Sequence, residues 1–306
     1  MQEFFQGAVG WLTPLFVVTA MLNVGMTQKP ANIFRHLQNW QYLARMALVN
    51  FVVVPALMIF FVEIFGVTGP YAVGLIIFSA AAGAPLLIKL TARSQNEIAA
   101  GATVQMVLMI GTVFLMPLLL PLLIKGVTVD SWAIASGLLL QMILPIALGM
   151  LLLTFAESFT AVVQPWIARI SNIALYAMLV ATLLGNLSAL GDFHMWGAIL
   201  TGVIALMIAF FVGHNTGIGQ ETDSQIGALG TAQRNTAAAV MVAQSNFADP
   251  LVLLTTVLLN TIMIFILLFI ATLMAKDIRM ALLEPLEADP PRRNHTNQTS
   301  GAHSSS

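Results

Sequence analysis

The sequence contains no cysteine and very little charge. Without thiols there is no disulfide, no thiolate nucleophile and no thiolate metal ligand, while the compartment is left open. Only 8% of the 306 residues are charged, against about 25% in an ordinary soluble domain. The net charge of −1 excludes a global attraction to nucleic acid. Enzyme signatures are missing too: there is no His-Glu-x-x-His zinc pair, no Gly-x-Ser-x-Gly elbow and no Gly-x-x-x-x-Gly-Lys phosphate loop. No enzyme, metal site or cofactor is therefore expected. With no nucleotide-binding segment, any pumping must draw on an ion gradient or on the substrate's own gradient.

What is present is apolar sequence. Hydrophobic residues make up 58% of the chain and the mean hydropathy is +0.90. A membrane-spanning helix needs about 20 mostly apolar residues, and such stretches recur with short polar gaps between them. The pattern predicts an all-α polytopic membrane protein with nine spans, near 8–26, 41–65, 70–92, 96–124, 131–154, 168–190, 193–213, 222–246 and 250–275. The first has no basic n-region and no small-residue cleavage site, so it reads as a span and not as a signal peptide. Residues 1–275 form one transmembrane domain. After Lys276 the composition turns to Pro, Ser, Asn and charge, which predicts a disordered tail over 276–306. Two tail sequons, at Asn294 and Asn297, match glycosylation acceptors, but short polar tails match by chance.

Cytoplasmic loops collect Lys and Arg. Lys29, Arg35, Arg45, Arg93, Arg169, Lys276, Arg279, Arg292 and Arg293 all fall on one side if the N-terminus is outside, and only Lys125 falls in a loop opposite. The expected topology in the cell (inner) membrane is N-terminus out and C-terminus in.

Two basic residues remain, Lys89 and Arg234, and both lie in spans with a broken pattern. Span three carries Gly83 and Pro85 in its middle. A proline lacks the N–H and its ring clashes with the carbonyl four residues back, here that of Ala81, so the helix should open there. Span eight carries Gly227, Gly230, Thr231 and the polar triplet Gln233-Arg234-Asn235 where lipid-facing leucines are expected. Interrupted helices in corresponding places of two halves point to a transporter site at the bilayer midplane. Spans five to nine form a set of five whose fourth is broken. Spans one to four match it, in opposite orientation, if the first member is missing. The expectation is an inverted repeat, about 8–124 and 131–275.

Several stretches resemble the bile acid:sodium symporter family, over about Trp11 to Ala275. "LNVGMTQKPANI" resembles a glycine- and methionine-rich helix end followed by a Lys-Pro loop, and "VNFVVVPAL" resembles the next helix. "YAVGLIIFSAAAGAP" resembles the approach to the family's first break. "ALGTAQRNTAAAVMVAQSNFADP" resembles its second, with Asn235, Phe247 and Pro250 in register. The resemblance implies core and panel domains, two broken helices crossing at the substrate and ion sites, and transport of small organic anions. This chain would lack the family's first helix.

Aligned without gaps, the family's sodium-liganding Ser-Asn pair falls on Leu87 and Ile88, and its next Ser and Thr ligands on Gly101 and Gln105. The glutamate shared by its two sodium sites falls on Gly230 and the following glutamine on Arg234. Asn50 keeps an amide. Most oxygens are gone and a fixed cation stands among them, since arginine stays protonated at any working pH. Arg234, with Lys89, is thus a candidate for the electrostatic role of sodium, facing an anionic substrate. The candidate substrate contacts are Thr231, Gln233, Arg234, Asn235, Gly83, Pro85 and Lys89. Sodium or proton coupling is left open.

Plainer readings stand beside these. Arg234 could pair with Glu97, Glu221 or Asp223 as a structural tie. Lys89 lies close enough to the cytoplasmic end to snorkel. Asn50, Gln105 and Gln141 could glue helices together, and the seventeen methionines read as packing among lipid-facing and gap-filling positions. His214 reads as an interfacial residue. Two functions fit: a secondary active or facilitative transporter of a small organic anion, or a receptor that kept the transporter fold and binds such an anion without moving it.

Overall fold

The structure, a computed structural model, describes residues 2–29, 37–124 and 130–287. Arg35, Lys125, Arg292, Arg293 and the sequons at Asn294 and Asn297 lie outside the described residues. Every element among those described is helical.

Seven helices are long and apolar enough to cross a membrane. In chain order they are α1 (Gln2–Thr27), α2 (Trp40–Ile64), α5 (Ile98–Leu123), α6 (Ser131–Phe155), α7 (Glu157–Gly185), α8 (Phe193–Gly217) and α11 (Pro250–Glu287). The two remaining apolar regions are each split. The first gives α3 (Gly69–Ala80) and α4 (Leu87–Arg93), and the second α9 (Glu221–Ala232) and α10 (Thr236–Asn246). Aspartates cap three helices that begin at the same end of the bundle. Asp130 accepts from the N–H groups of Trp132 and Ala133, Asp192 from that of His194, and Asp249 from that of Leu251.

Three boundaries differ from the sequence expectation. Helix α1 begins at Gln2, not near residue 8. Helix α7 begins at Glu157, eleven residues before the expected 168, and carries Pro165 and Arg169 inside it. Arg169 is therefore a helix residue, its guanidinium over the Trp166 ring at 5.1 Å, and not part of a connecting loop. The polar residues of that first half depress the hydropathy, although the helix is anchored there by a 2.7 Å pair between Lys29 and Glu157. Helix α11 continues past Lys276 to Glu287.

Helix α2 contains a π-helical turn, Val49–Val53, ending two residues before Pro55, and α6 contains another, Leu139–Ile143, two residues before Pro145. In α2 the turn sends the Val54 N–H to Val49, and Pro55 has none to offer. The carbonyl of Asn50 is left without a helical donor.

The helices sort into two groups by packing. Helices α1, α6 and α7 lie together, with α1 and α6 almost backbone to backbone. A Cβ on Gly25 would stand 2.2 Å from the Ile146 oxygen, and one on Gly149 2.4 Å from the Leu22 oxygen. The other helices surround the two split regions, where α8 and α9 meet at Gly213 and Gly227. The groups touch through α1 and α6 against α10, α6 against α5, and α7 against α11. There is also an internal periodicity. The same number of residues separates Gly69 from Glu221, Ala80 from Ala232, and Ile98 from Pro250. The ends of α3, the ends of α9 and the starts of α5 and α11 thus recur at one spacing.

Candidate functional site

Helix α3 stops at Ala80, where Pro85 dictates that it must: the proline cannot donate to the Ala81 carbonyl four residues back. The chain then runs through Gly83 at φ +78°, a conformation glycine adopts without strain. A Cβ there would lie 2.2 Å from the Met109 nitrogen, so only glycine lets the break lie flat on α5. Thr112 of α5 braces the same point. Its hydroxyl accepts from the Ala82 N–H and donates to the Ala82 carbonyl, both at 2.9 Å.

The second break, residues 233–235, is braced from α11. Asn260 accepts from the Gln233 amide at 3.3 Å and from the Thr236 hydroxyl at 2.7 Å, while Asn235 caps α10 by accepting from the Ala238 N–H. The two breaks bond directly, the Asn235 N–H donating to the Ala81 carbonyl at 2.8 Å. That carbonyl is the one Pro85 leaves vacant.

Arg234 lies at this crossing, fully buried. Each of its five N–H groups has a protein oxygen. Nε donates to Phe78 O at 3.4 Å, Nη1 to Asn50 Oδ1 and to Thr231 O at 3.3 Å, and Nη2 to Ser79 O and to Asn50 O at 3.2 Å. Four of the five acceptors are backbone carbonyls, and each is within reach for a visible reason. Phe78 and Ser79 lie in the last turn of α3; the Ala82 N–H that would have served Phe78 goes to Thr112 instead, so the Phe78 carbonyl shares the Arg234 Nε–H contact with a 3.3 Å bond from the Ala81 N–H. Thr231 loses the Asn235 N–H to Ala81. Asn50 loses its donor to the π turn and Pro55. Helix C-termini carry partial negative charge, and Arg234 meets those of α3 and α9. Among the described residues no carboxylate forms a salt bridge with it. The tie to Glu97, Glu221 or Asp223 is replaced by neutral oxygens.

The other candidate positions fall as follows. Asn50 is buried, donating to Met46 O at 3.0 Å and to the Thr231 hydroxyl at 3.2 Å. Leu87 is buried against Gly230, where a Cβ would stand 3.0 Å from a Leu87 methyl. A Cβ on Gly101 would strike the Thr91 hydroxyl of α4 at 2.4 Å. Gln105 is buried, with both ends of its amide unpartnered. It lies one turn from Gly101, which faces Thr91, and one turn from Met109, which faces Gly83. The α5 face carrying it therefore looks onto the first break. The Gln233 Oε1 and Asn235 Nδ2 atoms are also buried without partners. Lys89 is exposed on α4 and Ile88 and Pro85 are half-buried, away from the guanidinium's bonding shell. Gln141 is half-exposed in the π turn of α6. Thr112 and Asn260 are not among the candidates from sequence; a hydroxyl or amide inside an apolar helix is the signal that marks them.

Cavities also lie elsewhere, at the end of the bundle where α3 and α11 begin. One of about 130 Å³ lies between α1, α7 and the α10–α11 turn, with Thr182, Asn186, Gln244 and Asp249 on its wall. Another, of about 490 Å³, lies beside Tyr71, Asp192 and His194. There the His194 backbone N–H, the Tyr71 hydroxyl and the His194 ring hold the Asp192 carboxyl below the ordinary carboxylate range.

Seven apolar helices and two interrupted regions braced against each other mark a multi-pass helical membrane protein. The model of the Sodium Bile acid symporter family matches residues 14–193, and the chain belongs to that family. The match takes in the first break and ends before the second, so Arg234 lies beyond it. No curated protein matches the chain.

Proposed function

We propose that the protein carries a small organic anion across the membrane, by secondary active or facilitative transport. The observation that carries this reading is the crossing itself. Two helices are interrupted deep in the bundle, bonded break to break through Asn235 and Ala81, and surrounded by buried amides with unused valences. Irregular backbone at that depth persists only inside protein or beside a wet path.

In this reading each split region is one span, giving nine in all, with the N-terminus outside and the tail inside the cell membrane. The repeated spacing of α3 with α9 and α5 with α11 supports an inverted repeat. Counterpart elements are five spans apart, so they cross in opposite senses. The two packing groups correspond to panel (α1, α6, α7) and core. The substrate anion is met by the free amide N–H groups of Asn235 and Gln105, near the N–H end of α10. Arg234 acts through its charge, because all five of its donors are already engaged.

A ligand-stabilisation screen of small carboxylates and sulfonates, followed by counterflow of the best hit in proteoliposomes, tests the proposal. Saturable counterflow supports transport. Binding without counterflow would instead assign the protein to the receptor class.

A further inference from the structure

The oxygens around Arg234 form a cation site. Four backbone carbonyls, that of Phe78 shared with the Ala81 N–H, and one amide oxygen converge from α2, α3 and α9, beside the negative ends of two half-helices, with no carboxylate among them. A buried charge persists only where polar groups replace its hydration, and here they do so on every N–H. The neighbouring positions do not suit sodium. Leu87 and Gly230 offer no side-chain oxygen and pack on each other, and Gly101 is closed by Thr91. A second cation would enter beside a permanent positive charge without a carboxylate to balance it.

We infer that the Arg234 guanidinium is a tethered counter-cation. It fills the oxygen-lined site at the crossing, so the two breaks are held together with no bound ion. The inference deepens the transport reading and rests on it for its meaning, while its test needs no substrate. Failure of counterflow and failure of this inference are therefore separate results.

The test is the melting temperature of the full-length protein in detergent, in choline chloride, with sodium or guanidinium chloride added at millimolar concentration. Wild type should melt at the same temperature in all three salts. Arg234→Ala empties the site and leaves five oxygens facing a gap. It should melt several degrees lower and regain most of the loss, saturably, with guanidinium or sodium but not with choline. If Arg234→Ala cannot be purified, Arg234→Lys and Arg234→Met decide. Kept charge should preserve the fold in the lysine variant, and the uncharged methionine, close in volume, should not. An Arg234→Ala protein that no cation restores would overturn the inference. So would a wild type that sodium stabilises saturably, or an Arg234→Met protein that melts like wild type.

Discussion

Asn235 and Ala81, one from each helix break, share a backbone hydrogen bond of 2.8 Å, the Asn235 N–H donating to the Ala81 carbonyl. Two local events meet in that bond. Pro85 denies Ala81 its helical donor, and the second break turns the Asn235 N–H outward from its own helix. The Thr231 carbonyl is thereby released to Arg234. A change at either break should consequently be felt at the other.

Gly83 gives the simplest case. At φ +78° any side chain is strained, and here a Cβ would also meet the Met109 nitrogen at 2.2 Å. Gly66, at φ +64° with nothing within 4 Å, has the strain without the clash. Gly66→Ala should cost about 1–2 kcal/mol. Gly83→Ala should cost clearly more, roughly 3–5 kcal/mol, as for overpacking added to strain. Thermal melts of both variants measure the difference, and equal shifts would mean that the break is loosely packed on α5.

Asn50 supplies Arg234 with two acceptors, its side-chain oxygen and its π-turn carbonyl. Asn50→Leu keeps the carbonyl, loses the amide and leaves one guanidinium N–H unpaired, at a cost of roughly 1.5–3 kcal/mol for a bond to a charged group. Asn50→Asp keeps an oxygen and adds a balancing charge, so it should melt well above Asn50→Leu. If the two melt alike, the side-chain contact contributes nothing.

Both breaks were legible in the sequence because their causes are local: Gly83 and Pro85 in one, a polar triplet in the other. That Arg234 is buried followed from its place in an apolar span. Its partners were not legible. Sequence reasoning looks for a carboxylate to match a buried cation, whereas this fold answers with main-chain carbonyls, which every residue has and no residue type advertises. They become available only once the break geometry and the π turn before Pro55 are known. Lys89 shows the converse limit. Two residues after Leu87 on the same short helix, it turns outward while Leu87 is buried, and the helix phase that decides this depends on where the break ends. The early start of α7 was hidden for a third reason, since Glu157, Pro165 and Arg169 dilute an otherwise apolar helix.

Reporter fusions test the nine-span reading. A fusion before α1 and one near Asp130 should report the outside, and one after α11 the inside. The expectation follows from each split region crossing once. An external C-terminus would require an even number of spans and would break the inverted repeat.

The central claim is that an organic anion crosses through a site whose cation is part of the chain. Counterflow of the carboxylate or sulfonate selected by the stabilisation screen, measured in sodium chloride and again with choline replacing sodium, tests it most directly. The account predicts equal rates within error in the two salts. A counterflow rate that vanishes in choline and saturates with added sodium would contradict it.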